Sequence, residues 1–191
     1  MAGDFRKETL ANGLTILGEP NSANASAALG FFVRTGARDE TAAEAGVSHF
    51  LEHMLFKGTP TRSAIDINLQ LGNLGAQANA FTSEENTVYY SAIIPENFSA
   101  MQELLSDMMR PLLDPQEFDM EKKVILEEIA LYQDRPHFYL FENAFKDFFG
   151  AHPAGNSVLG THDSVSGISR DAMKSYFDRR YSPSNIVLAA T

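Results

Sequence analysis

The segment GVSHFLEHMLFKGT, residues 46–59, restricts the fold of this chain more than any other. Its apolar residues Val47, Phe50, Leu51, Met54 and Leu55 recur at spacings of 3, 4 and 7, the period of a helix with a buried face running to Phe56. Gly58 and Pro60 stop that helix. Yet His49, Glu52 and His53 lie inside the apolar run. Buried polar groups need partners, so whatever packs on this helix must supply them. At about 100° per residue, His49 and His53 share one face, a turn apart, with Glu52 beside them. Two imidazoles so placed can aim ring nitrogens at a single ion, and neutral imidazole is a good zinc ligand. The carboxylate then stands near the ion but off it, where a general base that activates water belongs. The competing reading is a pair of hydrogen-bonded core histidines and a solvated glutamate.

Catalytic zinc takes three protein ligands and leaves a fourth position open. There is no cysteine in the 191 residues, so thiolate ligands and disulfides are excluded and the third ligand must be His, Asp or Glu. Residues 115–133 offer one. Asp114 followed by Pro115 is a helix start. On the helical wheel, Phe118, Val124, Ile125, Leu126, Ile129, Leu131 and Tyr132 spread over a wide apolar face. Glu121 and Glu128 fall in the middle of it, two turns apart, while Glu127 and Lys123 fall outside. A carboxylate on a buried face needs a metal or a donor. Glu128 is therefore the candidate third ligand, and Glu121 a candidate for orienting a ligand from behind. The alternative places both at the helix margin, reaching solvent.

The remaining elements define the fold class. Residues 8–18 read as a hairpin turning at Asn12-Gly13, and residues 25–34 as a strand. Ser63 caps a helix expected to reach Leu71 and end at Gly72. AQANAFTS and NTVYYSAII read as paired strands, and Pro95 opens another helix. FYLFENAFKDFF is amphipathic and stops at Gly150, and HPAGNSVLGTHDSV reads as a loop. A last helix over 171–179 and a last strand, SNIVLAAT, follow. Hairpins of strands and blocks of helices predict an α+β domain, a mostly antiparallel sheet covered by helices. With 44% hydrophobic residues, residues 1–191 can form one domain with a full core. The final strand has no turn after it, so a longer protein is expected.

A net charge of −10 disfavours a nucleic-acid or anionic-membrane partner. No apolar run is long enough for a membrane span, and the N-terminus has no secretory signal pattern, so a cytoplasmic protein is expected.

His-x-x-Glu-His is the inverted zinc-peptidase motif. HFLEHMLFKGT, with Glu128 following 75 residues after His53 inside EKKVILEEIALYQD, resembles the M16 metallopeptidases, which include pitrilysin, insulin-degrading enzyme and the mitochondrial processing peptidase. NGLTIL, GFFVRTGARDE, NAFTSEENTVYY and HPAGNSVLGT are similar to further stretches of that family. The resemblance implies the LuxS/MPP-like metallohydrolase fold. It implies Zn2+ held by His49, His53 and Glu128, with Glu52 as catalytic base and Glu121 in support. It also implies that the strand of Asn79, Ala80 and Phe81 is an edge that takes peptide or unfolded protein substrate as an added strand. By residue type alone, Asn79 is an ordinary strand-end polar residue and Phe81 an ordinary core aromatic. Family peptidases close two such domains over the substrate. A second M16 domain, in the same chain or in a partner subunit, is thus an expected partner that supplies an Arg and a Tyr, and these residues alone should cleave poorly. The expected function is a zinc-dependent endopeptidase. The rival is a non-catalytic M16-like scaffold or peptide-binding subunit. A structural zinc site is disfavoured, because such sites are closed by four ligands, mostly Cys.

Overall fold

The computed structural model describes residues 4–191, so the first three residues of the 1–191 domain reading lie outside it. Six strands form one sheet in the order β1-β2-β6-β3-β5-β4. They are β1 (Arg6–Thr9), β2 (Thr15–Gly18), β3 (Ala27–Val33), β4 (Gln77–Thr82), β5 (Thr87–Ile93) and β6 (Ile186–Ala190). Every pairing is antiparallel except β2 with β6. The expected α+β class with a mostly antiparallel sheet is what the chain forms.

The β1–β2 turn differs from the expected two-residue form. Thr9 pairs with Thr15, leaving residues 10–14 in the connection. Leu10 donates to the Leu14 carbonyl, and Asn12 Oδ1 accepts from the Leu14 amide. Gly13, at φ 91°, lies against Ser184, whose Cβ is 2.9 Å from where a Gly13 side chain would begin. The turn is thus shaped by a contact with the far end of the chain.

The sheet alternates as a half-covered sheet should. Leu29, Phe31 and Val33 of β3, with Tyr89, Ser91 and Ile93 of β5, are buried beneath the helices. Phe32 and Tyr90 point the other way and are exposed. Phe81 of β4 is exposed as well, in edge contact with Tyr90, and so is not the core aromatic its residue type favours. The alternation decides the matter, because Ala78 and Ala80 take the core-facing positions.

Helix α1 (Val47–Met54) lies against β4, β5 and α4 (Pro115–Gln133). Its N-terminus is closed from a distance: the buried Glu40 carboxylate accepts from the Gly46 and Ser48 amides, each at 2.7 Å. Carboxyl oxygens there satisfy N–H groups that the first turn of the helix leaves free. Gly46 begins the helix at φ 91°. Phe50, fully buried, stacks on Phe118 of α4 with centroids 4.7 Å apart, tying the two helices together. On α4 the buried stripe is Phe118, Glu121, Ile125 and Ile129. The wide apolar face expected for this helix is narrower in fact, since Val124 and Leu131 are exposed.

Helix α2 (Ala64–Leu74) starts with reciprocal bonds between Ser63 and Asp66. It continues through Gly72 and ends at Gly75, which takes the left-handed conformation at φ 64°. Helices α3 (Phe98–Met108), α5 (Pro136–Phe149) and α7 (Arg170–Arg180) fall where the sequence places them. Helix α6 (His162–Gly167) occupies part of the expected loop, capped by Thr161. No described helix is long and apolar enough to cross a membrane.

Candidate metal centre

The sequence-predicted ligands come together between α1 and α4. One ligand atom from each of His49, His53 and Glu128 lies within 4.8 Å of the others. Glu128 Oε2 is 3.8 Å from His49 Nε2 and 3.7 Å from His53 Nε2, too far for hydrogen bonds. Three donors therefore face one another without bonding to one another. Zinc bonds of about 2.0–2.2 Å to nitrogen and oxygen set tetrahedral ligands about 3.3 Å apart. The spacing and the N/N/O donor set fit such an ion.

The α1 histidines are supported differently. His53 Nδ1 meets Glu121 Oε1 at 2.8 Å. Glu121, 5% exposed, also receives Lys57, whose Nζ is 2.6 Å from Oε2. His49 Nδ1 is buried and has no hydrogen-bond partner among the described residues. Burial, and then the charge of His53, holds the His49 imidazole down to about 4, so it is neutral and able to ligate. Burial pulls His53 down too, but the Glu121 bond and the nearby carboxylates outweigh it and raise the ring above its ordinary value. Burial likewise raises the Glu121 carboxyl, and the His53 and Lys57 contacts more than reverse that.

Glu52 stands beside this group, and its Oε2 accepts from Thr82 Oγ1 at 2.6 Å. Burial raises the Glu52 carboxyl, against the Thr82 bond. A carboxyl that stands apart from the three converging donors, with its hold on a proton strengthened, is placed to take a proton and give it back. Thr82 ends β4, so the same bond joins the candidate base to the sheet edge. Among the described residues no strand covers the outer side of β4, where Asn79, Ala80 and Phe81 lie. His137, His152 and His162 take no part in the cluster.

Sequence reasoning missed Lys57, Thr82 and Glu40. Lys57 is four residues past His53, the spacing of one helical turn, and that was the available signal. Thr82 could have been read from the alternation of β4, which puts it on the face of Ala80. Glu40 had no local signal.

The family model for Insulinase (Peptidase family M16) matches residues 15–162. This chain belongs to peptidase family M16. An uncharacterized zinc protease of Mycobacterium tuberculosis is 40% identical over 186 residues, covering 97% of this chain and 42% of that protein. The crystal structure of a Helicobacter pylori protease superposes with a TM-score of 0.94 at 26% identity, over 98% of this chain and 46% of that one. A peptidase M16 inactive domain from Pseudomonas fluorescens superposes with a TM-score of 0.90 at 17% identity, again over 98% and 46%. The chain thus spans less than half the length of these relatives. The M16 fold occurs with and without activity, so the side chains at the site must decide what this member does.

Proposed function

We propose that this chain is the metal-bearing domain of a zinc-dependent endopeptidase acting on peptides or unfolded polypeptides. One observation carries the reading: two imidazoles and a carboxylate converge without bonding to one another, and a separate half-buried carboxylate stands beside them at the end of an open strand edge. His49, His53 and Glu128 would hold Zn2+, which when bound supplies Lewis acidity toward a carbonyl and acidifies water. The chain's own residues do the rest. An extended substrate adds to the outer side of β4, where backbone N–H and C=O groups hold it. Glu52 takes a proton from the attacking water and returns it to the amine released from the scissile bond. Thr82 keeps the Glu52 carboxyl beside that edge. Zinc-protease relatives support the metal and the reaction class. A second M16 domain is needed to close over the substrate, and these residues alone cleave slowly.

The scaffold alternative has the same fold, but it would not need both ligands and base in place. Glu52→Gln, in the protein with its second M16 domain, separates the two. Stoichiometric zinc with peptide hydrolysis abolished is the expected result. Unchanged hydrolysis overturns the role of Glu52, and an inactive wild type that still binds peptide favours the scaffold.

A further inference from the structure

We propose that Lys57 is a positioning residue for the metal centre, acting through Glu121 on His53. The inference rests on the metal-site reading above. Glu121 divides its two oxygens: Oε1 faces His53 Nδ1 at 2.8 Å and Oε2 faces Lys57 Nζ at 2.6 Å. A carboxylate bonded through one oxygen can rotate about its terminal bond. An ammonium on the other oxygen removes that freedom, and it neutralises an anion that is nearly out of water. With the carboxyl plane fixed, His53 is held with Nδ1 as donor and with Nε2 directed toward Glu128 and His49.

Three observations make this more than a chance surface ion pair. First, Lys57 is the only Lys or Arg paired with Glu121 among the described residues, since Lys122, the adjacent cation, donates to the Ser166 and Ile168 carbonyls. Second, the Lys57 backbone cannot withdraw. Its amide donates to the Met54 carbonyl, and the next residue, Gly58 at φ 120°, accepts from Leu112 and bridges to Ser63. Thr59 then anchors the loop by donating to the buried Asp107 at 2.6 Å. The lysine stem therefore leaves a fixed point. Third, the two histidines are unequal. His49 Nδ1 has no partner among the described residues, so there the Lys57–Glu121 pair is the outer support of the pair of imidazoles. Weakening it should fall directly on His53.

The test is zinc affinity by chelator competition, in the protein with its second M16 domain, for wild type, Lys57→Met, Lys57→Arg, Glu121→Ala and Lys57→Met with Glu121→Ala. Lys57→Met should weaken zinc about tenfold, the scale on which outer partners of metal ligands act. Lys57→Arg should restore most of that. In the Glu121→Ala background, Lys57→Met should add less than about twofold, because the two residues act as one unit. If Lys57→Met does not fold, Lys57→Gln, which keeps a donor without the charge, carries the same comparison. Wild-type affinity in Lys57→Met, or losses that multiply in the double variant, would overturn the role of Lys57 and leave the metal site standing. A wild type that takes up no zinc would overturn the metal reading, and this inference with it.

Discussion

Phe50→Ala tests whether the proposed metal centre depends on how α1 and α4 are packed. Phe50 is fully buried and stacks on Phe118 with an interplanar angle of 22°. Truncation removes about 100–150 Å² of buried apolar surface, roughly 3 kcal/mol at 25 cal/mol/Å². The cavity and the lost aromatic pair bring the total to about 4 kcal/mol. For a chain of this length each kcal/mol moves the midpoint by about 2–4 °C, so the fall should be roughly 8–16 °C. Scanning calorimetry of the metal-free protein measures it. A second effect follows from position: His49 and His53 flank Phe50 on α1, while Glu128 rides on α4 with Phe118. Relaxation into the cavity changes the distance between the helices, and zinc affinity should fall with it. Phe50→Leu, which refills most of the space, should recover most of both. A loss under about 1 kcal/mol, below the range for a buried Phe, would refute the packing account. Full instability with unchanged zinc affinity would refute the link to the site.

Glu40 gives a pH signature. Burial pushes its carboxyl up to about 7, from an ordinary 4.5, despite the bonds from Ser48 and Gly46. The folded state therefore holds this proton more tightly than the unfolded chain does. The associated stability is complete below pH 4.5 and lost as pH rises to 7, by about 3 kcal/mol. Urea unfolding across that range should show the component in wild type and not in Glu40→Gln, and parallel curves would refute it. Gly160→Ala should lower stability by about 2 kcal/mol, read as a fall in thermal midpoint. Gly160 sits at φ 71°, and an added Cβ would lie 2.5 Å from the Ala45 carbonyl oxygen, at the approach to α1. An unchanged midpoint would mean the backbone there yields freely.

The convergence of the three candidate ligands was legible because helical geometry is local arithmetic. The choice of Glu128 over Glu127 followed from rotation about the α4 axis, and the structure brings Glu128, with His49 and His53, to one point. Element positions were legible for the same reason, since capping residues and periodicity act within a few positions. What escaped was set by distant contacts. Phe81 looks like core from its residue type and is exposed because its strand is pleated against Tyr90. Lys57 looks like a surface lysine past a helix end until α4 places Glu121 above it. The width of the α4 apolar face failed because apolar residues also occupy positions that no described element covers.

The place of β6 in the sheet governs the order in which the molecule can assemble. This strand, Ile186–Ala190, is last in sequence yet lies between β2 and β3. Among the described residues, the β1–β2 hairpin reaches the rest of the sheet through β6 alone. On a ribosome, β3, β5 and β4 can pair, and α1 and α4 can dock on them, while the N-terminal hairpin waits for residues more than 160 positions later. Folding is therefore slow by topology at one seam, and a nascent chain paused before Ile186 exposes two further strand edges, those of β2 and β3, to its surroundings.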